Sequence, residues 1–409
     1  MYAPKKESNK NMKNHSSEVL YISIDGIMEP LGYSQVFKYL EGLSRNYKIN
    51  LISFEKKTDL ANVKRLSVLT KKCSEHNICW YRLKYRSGLF GFGKLINIGN
   101  LILAPIYIFI TKKVYLVHIR SYMPGVAIPI LKVFFKFKLI FDMRGFWADE
   151  KHDRLHWSKE SLKYKFFKRL ESYLLNISDH IVTLTNSSKN IIARSFDISP
   201  ASIEVIPTCV DFNEFKRVEN LSKYPPMVIG YLGSVDTAYD FPKFCFLVSQ
   251  FQSHLGHAIN LKVLTNQSHD HVLQLIPRQL LNKIELEVKF VEREKLSQEI
   301  SSFDLLGFFL KENFSINASM PTKIAETLAC GIPIVCNGFN TDIKNILEKN
   351  DAGLIYNFSD DLTQEKLDKL VYLTQDPETA PRCLRIAEEY FSLEKGTSVY
   401  VNLYSKLIS

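Results

Sequence analysis

The segment from Pro321 to Val335, P-T-K-I-A-E-T-L-A-C-G-I-P-I-V, restricts what this chain can fold into more than any other. It reads as a helix that runs at once into a buried strand. Pro321 suits the first helical position, where a missing N–H costs nothing. Gly331 suits the left-handed stop at the helix end. Ile332 to Val335 is a short apolar strand. The free N–H groups and dipole of such a helix start favour an anion. Lys323 adds a full charge in the first turn, and Glu326 follows three residues on along the same face. This arrangement can hold a phosphate at the helix tip and a sugar hydroxyl beside it. An ordinary surface helix with a Lys–Glu pair fits the same letters.

A chain of 409 residues exceeds the size at which single cores stop growing, so two domains are expected. With 46% hydrophobic and 23% charged residues it has the composition of a soluble globular protein. Its seven cysteines are scattered and lack metal-ligand spacing, which points to a reducing compartment and away from structural zinc. Cys330 and Cys336 read as small core residues. Residues 1–17 are polar and basic, unlike a signal peptide. The most apolar stretch, Leu95 to Ile110, contains Gly99, Asn100 and Pro105. It is expected to be a buried or interfacial helix, being too short and interrupted for a comfortable bilayer span. The net charge of +10 suits an anionic partner. On the helix from Lys159 to Ile177, Leu162, Phe166, Leu170, Leu174 and Ile177 share a face near Lys163, Lys165, Lys168 and Arg169. That pattern fits either a solvated basic face or peripheral contact with an anionic membrane. The basic residues are spread out and form no nucleic-acid motif, so nucleic acid is not an expected partner.

Strands and helices alternate along the chain, which implies parallel sheets covered by helices. The expected strands of the first series are Val19–Ile24, Ile49–Phe54, Val114–Ile119, Leu139–Asp142, Ile181–Leu184 and Ile203–Ile206. Proline and polar residues from Pro207 to Pro226 break the pattern and mark a domain junction. A second series follows, with strands at Val228–Leu232, Leu261–Thr265, Leu286–Phe290, Leu305–Leu310, Ile332–Val335 and Gly353–Tyr356. Residues from about 382 to 407 read as two helices.

In open parallel sheets ligands bind at the carboxyl ends of strands, so the loops there hold the candidate site residues. After the first strand, Asp25 to Val36 reads D-G-I-M-E-P-L-G-Y-S-Q-V, where Gly32 allows close backbone approach and Ser34 can cap the next helix. Val117 to Tyr122 reads V-H-I-R-S-Y and contains His118 and Arg120; a lone strand-end His is more often structural. Asp142 to Glu150 reads D-M-R-G-F-W-A-D-E. Three acids, one guanidinium and Trp147 form a dense cluster there. Arg144 could fork onto a phosphate or carboxylate, or be oriented by Asp142 as a buried pair. In the second series, Gly230 to Tyr239 supplies another glycine turn through Gly233 and Ser234. No H-E-x-x-H, suitable Asp-x-Asp or Cys/His cluster marks a metal site.

The segment P-T-K-x-x-E-x-x-A-x-G-x-P resembles the donor-binding segment of the family-4 glycosyltransferases. The loops E-P-L-G-Y-S-Q-V, V-H-I-R-S-Y and D-M-R-G-F-W-A-D-E are similar to that family's cleft loops, the first of which is close to D-P-L-G-x-S-Q-V in the family, with Glu29 and Tyr33 as departures. The resemblance covers nearly the whole chain. It implies the GT-B fold: two Rossmann-like doubly wound parallel-sheet domains facing a cleft, with C-terminal helices crossing back. The implied limits are 1–215 for an acceptor-side domain, 216–385 for a nucleotide-sugar-binding domain and 386–409 for the returning helix. By the same resemblance Glu326 takes the second place of an E-x7-E pair and holds the nucleotide ribose. The first place falls at Ala318, a departure. The Arg and Lys that many members carry after the second glycine turn are missing between Ser234 and Phe241, where G-S-x-x-T-x-Y matches a subset instead. Diphosphate neutralisation then falls to Lys323, the helix N-terminus, and Arg144 or Lys311.

The resemblance implies catalytic roles for His118, Arg144, Lys323 and Glu326. It implies donor contacts from Gly32, Ser34, Gly233, Ser234, Ser319, Pro321, Thr322, Lys323 and Glu326, and acceptor-side roles for Arg120, Asp142, Trp147, Asp149 and Glu150. The expected activity is retaining transfer of a sugar from a UDP- or GDP-sugar to a glycan or lipid-linked acceptor, in bacterial cell-surface polysaccharide assembly. No cofactor or metal is expected, the nucleotide-sugar being a substrate. The expected location is the cytoplasm, with peripheral contact at the inner membrane's cytoplasmic face as one open reading. Two alternatives use the same architecture: a nucleotide-sugar epimerase or phosphorylase, and a non-catalytic partner subunit.

Overall fold

The computed structural model describes residues 18–87, 92–218, 226–236 and 238–409. The expectations resting on residues 1–17, on Thr237 of the second glycine turn and on 219–225 of the junction lie outside the described residues.

Two sheets organise the chain. Seven strands form the first: β1 (Glu18–Ser23), β2 (Lys48–Glu55), β3 (Ile78–Lys84), β4 (Val114–Arg120), β5 (Lys138–Asp142), β6 (His180–Thr183) and β7 (Ile203–Val205), in the order β3-β2-β1-β4-β5-β6-β7. Six form the second: β8 (Met227–Leu232), β9 (Ile259–Leu264), β10 (Ile284–Lys289), β11 (Leu305–Gly307), β12 (Ile334–Cys336) and β13 (Gly353–Ile355), in the order β10-β9-β8-β11-β12-β13. The described pairings within both sheets are parallel. This is the expected α/β, doubly wound architecture. In each sheet the order reverses once, between β1 and β4 and between β8 and β11. Such reversals open a crevice at the strands' carboxyl ends.

Every expected strand is present within about two residues at each end except Leu305–Leu310, which stops at Gly307. The unexpected strand is β3, I-C-W-Y-R-L-K, a sheet edge whose residues after Ile78 are only partly covered. Its charges and partial exposure hide it from a search for apolar runs.

The chain divides into two compact units, one of 1–142, 177–179 and 397–409, the other of 143–176 and 180–396. This division does not coincide with a boundary near 215. Residues 143–215 are tied to the loops of the second sheet. Phe146 lies 5.0 Å from Phe314 between ring centres, and the Ser315 N–H donates to Asp153 at 3.1 Å. The Thr185 hydroxyl donates to the Asn317 carbonyl at 2.7 Å, and that of Thr208 to the Met320 carbonyl at 2.7 Å. Residues 397–409, most of the last helix (Leu393–Ile408), belong to the first unit.

The stretch around Leu95 to Ile110 is a helix as expected, but it is neither short nor interrupted. It forms one unbroken helix, Phe92–Thr111, with Pro105 inside. Gly93, Asn97, Leu101, Pro105 and Ile108 are buried, while Phe92, Leu103, Tyr107 and Ile110 are exposed. By length and composition alone this helix could cross a membrane.

The helix after β1 starts at Pro30, earlier than Ser34, and its Tyr33–Phe37 portion is a π-helix. Ser34 therefore lies inside the helix and is not its cap; its hydroxyl donates to the Leu31 carbonyl at 3.3 Å. Gly32 does serve a close backbone approach, but to Gly26. A Cβ at Gly32 would lie 1.9 Å from the Gly26 carbonyl oxygen. Neither atom belongs to a flexible side chain, so Gly32→Ala is expected to lower unfolding stability by about 1–3 kcal/mol, read as a shift in the urea midpoint.

Candidate functional site

The helix Thr322–Ala329 sits in the second unit, and Lys323 to Ala329 are all buried. That excludes an ordinary surface helix. Pro321 occupies the cap position, one residue before its expected place, with φ −60° and ψ 133°, and no side chain caps this terminus. At the other end Gly331 takes φ +75°. Its N–H donates to the Leu328 carbonyl at 2.9 Å and that of Ile332 to the Thr327 carbonyl at 3.2 Å. These are the two bonds of a Schellman stop, which glycine accommodates without strain. The chain then enters β12.

Lys323 is 6% exposed. Its Nζ lies 3.8 Å from the ring centre of Tyr239, 4.8 Å from Phe308 and 5.2 Å from Tyr231. Tyr231 belongs to β8 and Phe308 follows β11, so the amine stands at the reversal point of the second sheet. Among the described residues Nζ has no hydrogen-bond partner. Burial pushes its pKa down to about 7, against the opposing pull of Glu326. The aromatic faces supply cation–π attraction but no acceptor.

Gly233, in the turn after β8, has φ +108°, and a Cβ there would lie 3.3 Å from Lys323 Nζ. The two halves of the expected donor site, glycine turn and helix start, thus come together within one unit. Ser234 is engaged locally: its hydroxyl accepts the Asp236 N–H at 3.1 Å, and its carbonyl accepts the Tyr231 hydroxyl at 2.7 Å. Ser319 precedes the helix, and its carbonyl accepts from Asn340 Nδ2 at 2.8 Å. Thr322 is the first helical residue and is partly exposed. Ala318 ends a 3-10 turn, Phe314–Ala318, and is 1% exposed. No carboxylate stands at that position, but Asp153 reaches the same turn through the Ser315 N–H. Lys311 is exposed.

Glu326 is held by a residue that the sequence did not single out. Arg293 Nη1 donates to Glu326 Oε1 at 3.1 Å, while its Nε donates to Glu214 Oε2 at 3.3 Å. The guanidinium also lies 4.9 Å from the ring centre of Phe215. Burial raises the Glu326 pKa, and Arg293 works against that shift. Arg293 lies in E-R-E-K with no motif to mark it, and only the fold brings it to Glu326.

In the first unit His118 lies in β4 and is 1% exposed. Its Nδ1 is 2.7 Å from the Tyr404 hydroxyl, and its Nε2 is 3.7 Å from Asp142 Oδ2. Asp142 ends β5, and its Oδ2 also accepts from the Tyr400 hydroxyl at 3.1 Å and Arg120 Nη1 at 3.4 Å. Arg120 Nε reaches Asp25 Oδ2 at 3.4 Å. The structure gathers His118, Arg120 and Asp142 into an interior network braced by two tyrosines of the terminal helix. Such burial fits groups that position a loop better than groups that touch a sugar. Glu55, unmarked in the sequence, organises the loop after β1. Its carboxylate accepts the N–H groups of Ile27 and Met28 at 3.0 and 3.1 Å and the Ser53 hydroxyl at 2.6 Å.

The loop after β5 carries Arg144 at φ +60° and Gly145 at φ +153°. A left-handed arginine is uncommon and costs strain that the surroundings must sustain. A Cβ at Gly145 would lie 2.6 Å from Glu150 Oε1. Burial raises the Glu150 pKa. Asp149 accepts the Tyr164 hydroxyl at 2.7 Å and Lys168 Nζ at 3.0 Å, and Lys168 also pairs with Glu171. Trp147 packs 4.4 Å from the ring centre of Phe167. Asp149 and Trp147, in the first turn of the helix Trp147–Leu155 that follows this loop, therefore fasten it to the helix Leu162–Ile177. Lys168 of that helix's basic face is committed to carboxylates.

Lys323 also makes stability depend on pH. Between about pH 7 and the usual lysine range, the unfolded chain holds a proton on this amine that the folded chain lacks. Stability should therefore rise with pH through that window, by at most about 1.4 kcal/mol per pH unit. Denaturant midpoints across this range should show the wild type gaining on Lys323→Met as pH rises.

Residues 42–214 match the sequence model of a family described as Glycosyltransferase Family 4. No curated protein matches the chain significantly. Solved structures that share its fold include these three. A sucrose-phosphate synthase from Thermosynechococcus elongatus is 12% identical, with TM-score 0.69 over 96% of this chain and 99% of that one. A glycosyltransferase from Rickettsia africae is 15% identical, with TM-score 0.66 over 97% and 100%. The Anabaena protein HepE, in complex with UDP, is 14% identical, with TM-score 0.63 over 95% and 100%.

Proposed function

We propose that the protein, whose residues 42–214 match the model of Glycosyltransferase Family 4, moves a sugar, with retention, from a UDP- or GDP-sugar to a glycan or lipid-linked acceptor of bacterial surface polysaccharide. The observation that carries this reading is the Lys323 amine. It is desolvated, caged by aromatic faces, and set beside an uncapped helix start and a glycine turn. An amine so placed gains its charge and its missing acceptor when a diphosphate arrives. The structural neighbour HepE was captured with UDP, which supports the same ligand class.

In this reading the bond from the anomeric carbon to the diphosphate oxygen breaks, and the leaving diphosphate takes the electron pair. Protonated Lys323 and the N–H groups of the helix start stabilise that developing charge. Glu326, fixed through one oxygen by Arg293, accepts hydrogen bonds from the ribose hydroxyls. The acceptor hydroxyl attacks the face that the diphosphate leaves and gives its proton to the departing diphosphate oxygen. Arg144, presented by its left-handed backbone, is a second cation for phosphate. Gly233, Ser234, Ser319, Pro321 and Thr322 line the donor. His118, Arg120 and Asp142 position the loops after β1 and β4. These assignments leave no charge-neutralising role to a metal, so catalysis is proposed to be metal-independent. The proposed location is the cytoplasm, at the cytoplasmic face of the inner membrane.

Titration of UDP and GDP into the protein tests the donor site. One nucleotide is expected to bind, with affinity at least about ten-fold weaker in Glu326→Ala and in Lys323→Met. At about pH 8.5, binding to the wild type should take up close to one proton, because diphosphate raises the lysine pKa. Calorimetry in buffers of different ionisation enthalpy measures that uptake, and Lys323→Met should abolish it. Unchanged affinity in both variants would sink the assignment. Failure of well-folded protein to bind either nucleotide would favour a non-catalytic partner subunit, a reading the Ala318 departure keeps specific.

A further inference from the structure

We infer that the first unit docks on an anionic lipid bilayer through the exposed face of the helix Phe92–Thr111 together with the helix Ile128–Phe134. Phe92, Leu95, Ile96, Leu103, Tyr107 and Ile110 fall within about one third of the first helix's circumference at 3.6 residues per turn. All six are exposed; Ile110 is 74% and Phe92 73% exposed. The second helix adds Val133 at 76% and Phe134 at 71%. The two helices form one surface, since Phe109 stacks on Phe135 with ring centres 4.5 Å apart and planes 11° from parallel. A contiguous apolar face of this kind is rare on a soluble protein and marks an interaction site.

Charge identifies the partner. Between His76 and Phe141 the sequence holds no aspartate or glutamate and ten lysines and arginines, of which Arg120 is buried beside Asp142 and Lys138 pairs with Asp179. Lys94 lies in the first turn of the long helix, Lys112 and Lys113 follow its end, Lys132 lies in the last turn of the second helix with its Nζ donating to the Phe137 carbonyl at 2.9 Å, and Lys136 follows that helix. Aromatic, aliphatic and basic side chains in this order fit the headgroup region of an acidic membrane. A protein surface would more commonly be met by mixed charge.

The attachment is in-plane. The helix is about 30 Å long at 1.5 Å per residue and could span a bilayer, but its opposite face is fastened to the first unit. Gly93, Asn97, Leu101, Pro105 and Ile108 are buried there. Asn97 Oδ1 accepts the Arg86 N–H at 3.1 Å and its Nδ2 donates to the Arg86 carbonyl at 3.0 Å. On this inference the membrane face is this surface rather than the helix Leu162–Ile177, whose Lys168 is committed to Asp149 and Glu171. The inference stands apart from the donor chemistry, which nucleotide titration reads independently.

Co-sedimentation of the full chain with phosphatidylglycerol/phosphatidylcholine vesicles, and with pure phosphatidylcholine, tests it. The wild type should bind the anionic vesicles at least about ten-fold more tightly than the neutral ones, with the preference weakened by salt. The double variant Ile110→Glu/Val133→Glu should lose at least about ten-fold, while its nucleotide titration and circular dichroism stay those of the wild type. Phe166→Glu should bind vesicles like the wild type. An environment-sensitive fluorophore on Leu103→Cys should shift to the blue with anionic vesicles, a readout independent of the double variant's folding. The inference is overturned if the wild type binds neither vesicle, if Phe166→Glu alone loses binding, or if the fluorophore does not shift. It is also overturned if ultracentrifugation shows a lipid-free dimer that the double variant converts to monomer.

Discussion

The site depends on one desolvated amine. Lys323 is surrounded by the rings of Tyr231, Tyr239 and Phe308, with the uncapped start of its own helix at one side and Gly233 at another. Burying an ammonium without an acceptor is unfavourable, and the depressed pKa expresses that cost. The fold sustains it because the neighbouring elements are fixed by other means. The Schellman stop at Gly331 sets the helix against β12, and β8 and β11 hold the aromatic rings at the sheet's reversal point. A site kept unfavourable in this way has most to gain from an anionic ligand.

Buried carboxylates organise the remaining loops by the same logic applied in the opposite sense. Asp142 collects Arg120 and the Tyr400 hydroxyl, with His118 close by, and Glu55 collects two main-chain N–H groups. Each acid is satisfied by donors from distant parts of the sequence, so each pins a loop at a strand's carboxyl end. Glu326 joins them through Arg293. The residues that shape the site are thus more numerous than those that would touch a ligand.

The apolar helix Phe92–Thr111 shows how far composition carries. Its letters suit a buried helix, an interfacial one or a membrane span equally. The structure separates these possibilities because one face, with Asn97 bonded to Arg86, is committed to the first unit and the other is left exposed. The run of basic residues without a single acid is plain in the sequence, yet it acquires meaning only once that exposed face is known.

Much of the fold was legible from local pattern. Alternating apolar strands and amphipathic helices gave two parallel sheets, and the residues from Pro321 to Val335 announced a helix with a glycine stop and a buried strand. These are short-range properties, set by periodicity and by the backbone freedom of glycine and proline. The strand β3 escaped because an edge strand needs no continuous apolar run. Ser34 fell inside a helix because the turn begins at Pro30, where Gly32 must pass the Gly26 carbonyl. By itself the sequence determined the architecture, the helix start that favours an anion, and the candidate pair Lys323 and Glu326. Only the tertiary structure decided that Lys323 is caged, that Arg293 holds Glu326, that His118 is interior, and which face of an apolar helix meets solvent. Those outcomes rest on contacts between residues tens to hundreds of positions apart, and on the desolvation such contacts impose, which no local pattern encodes.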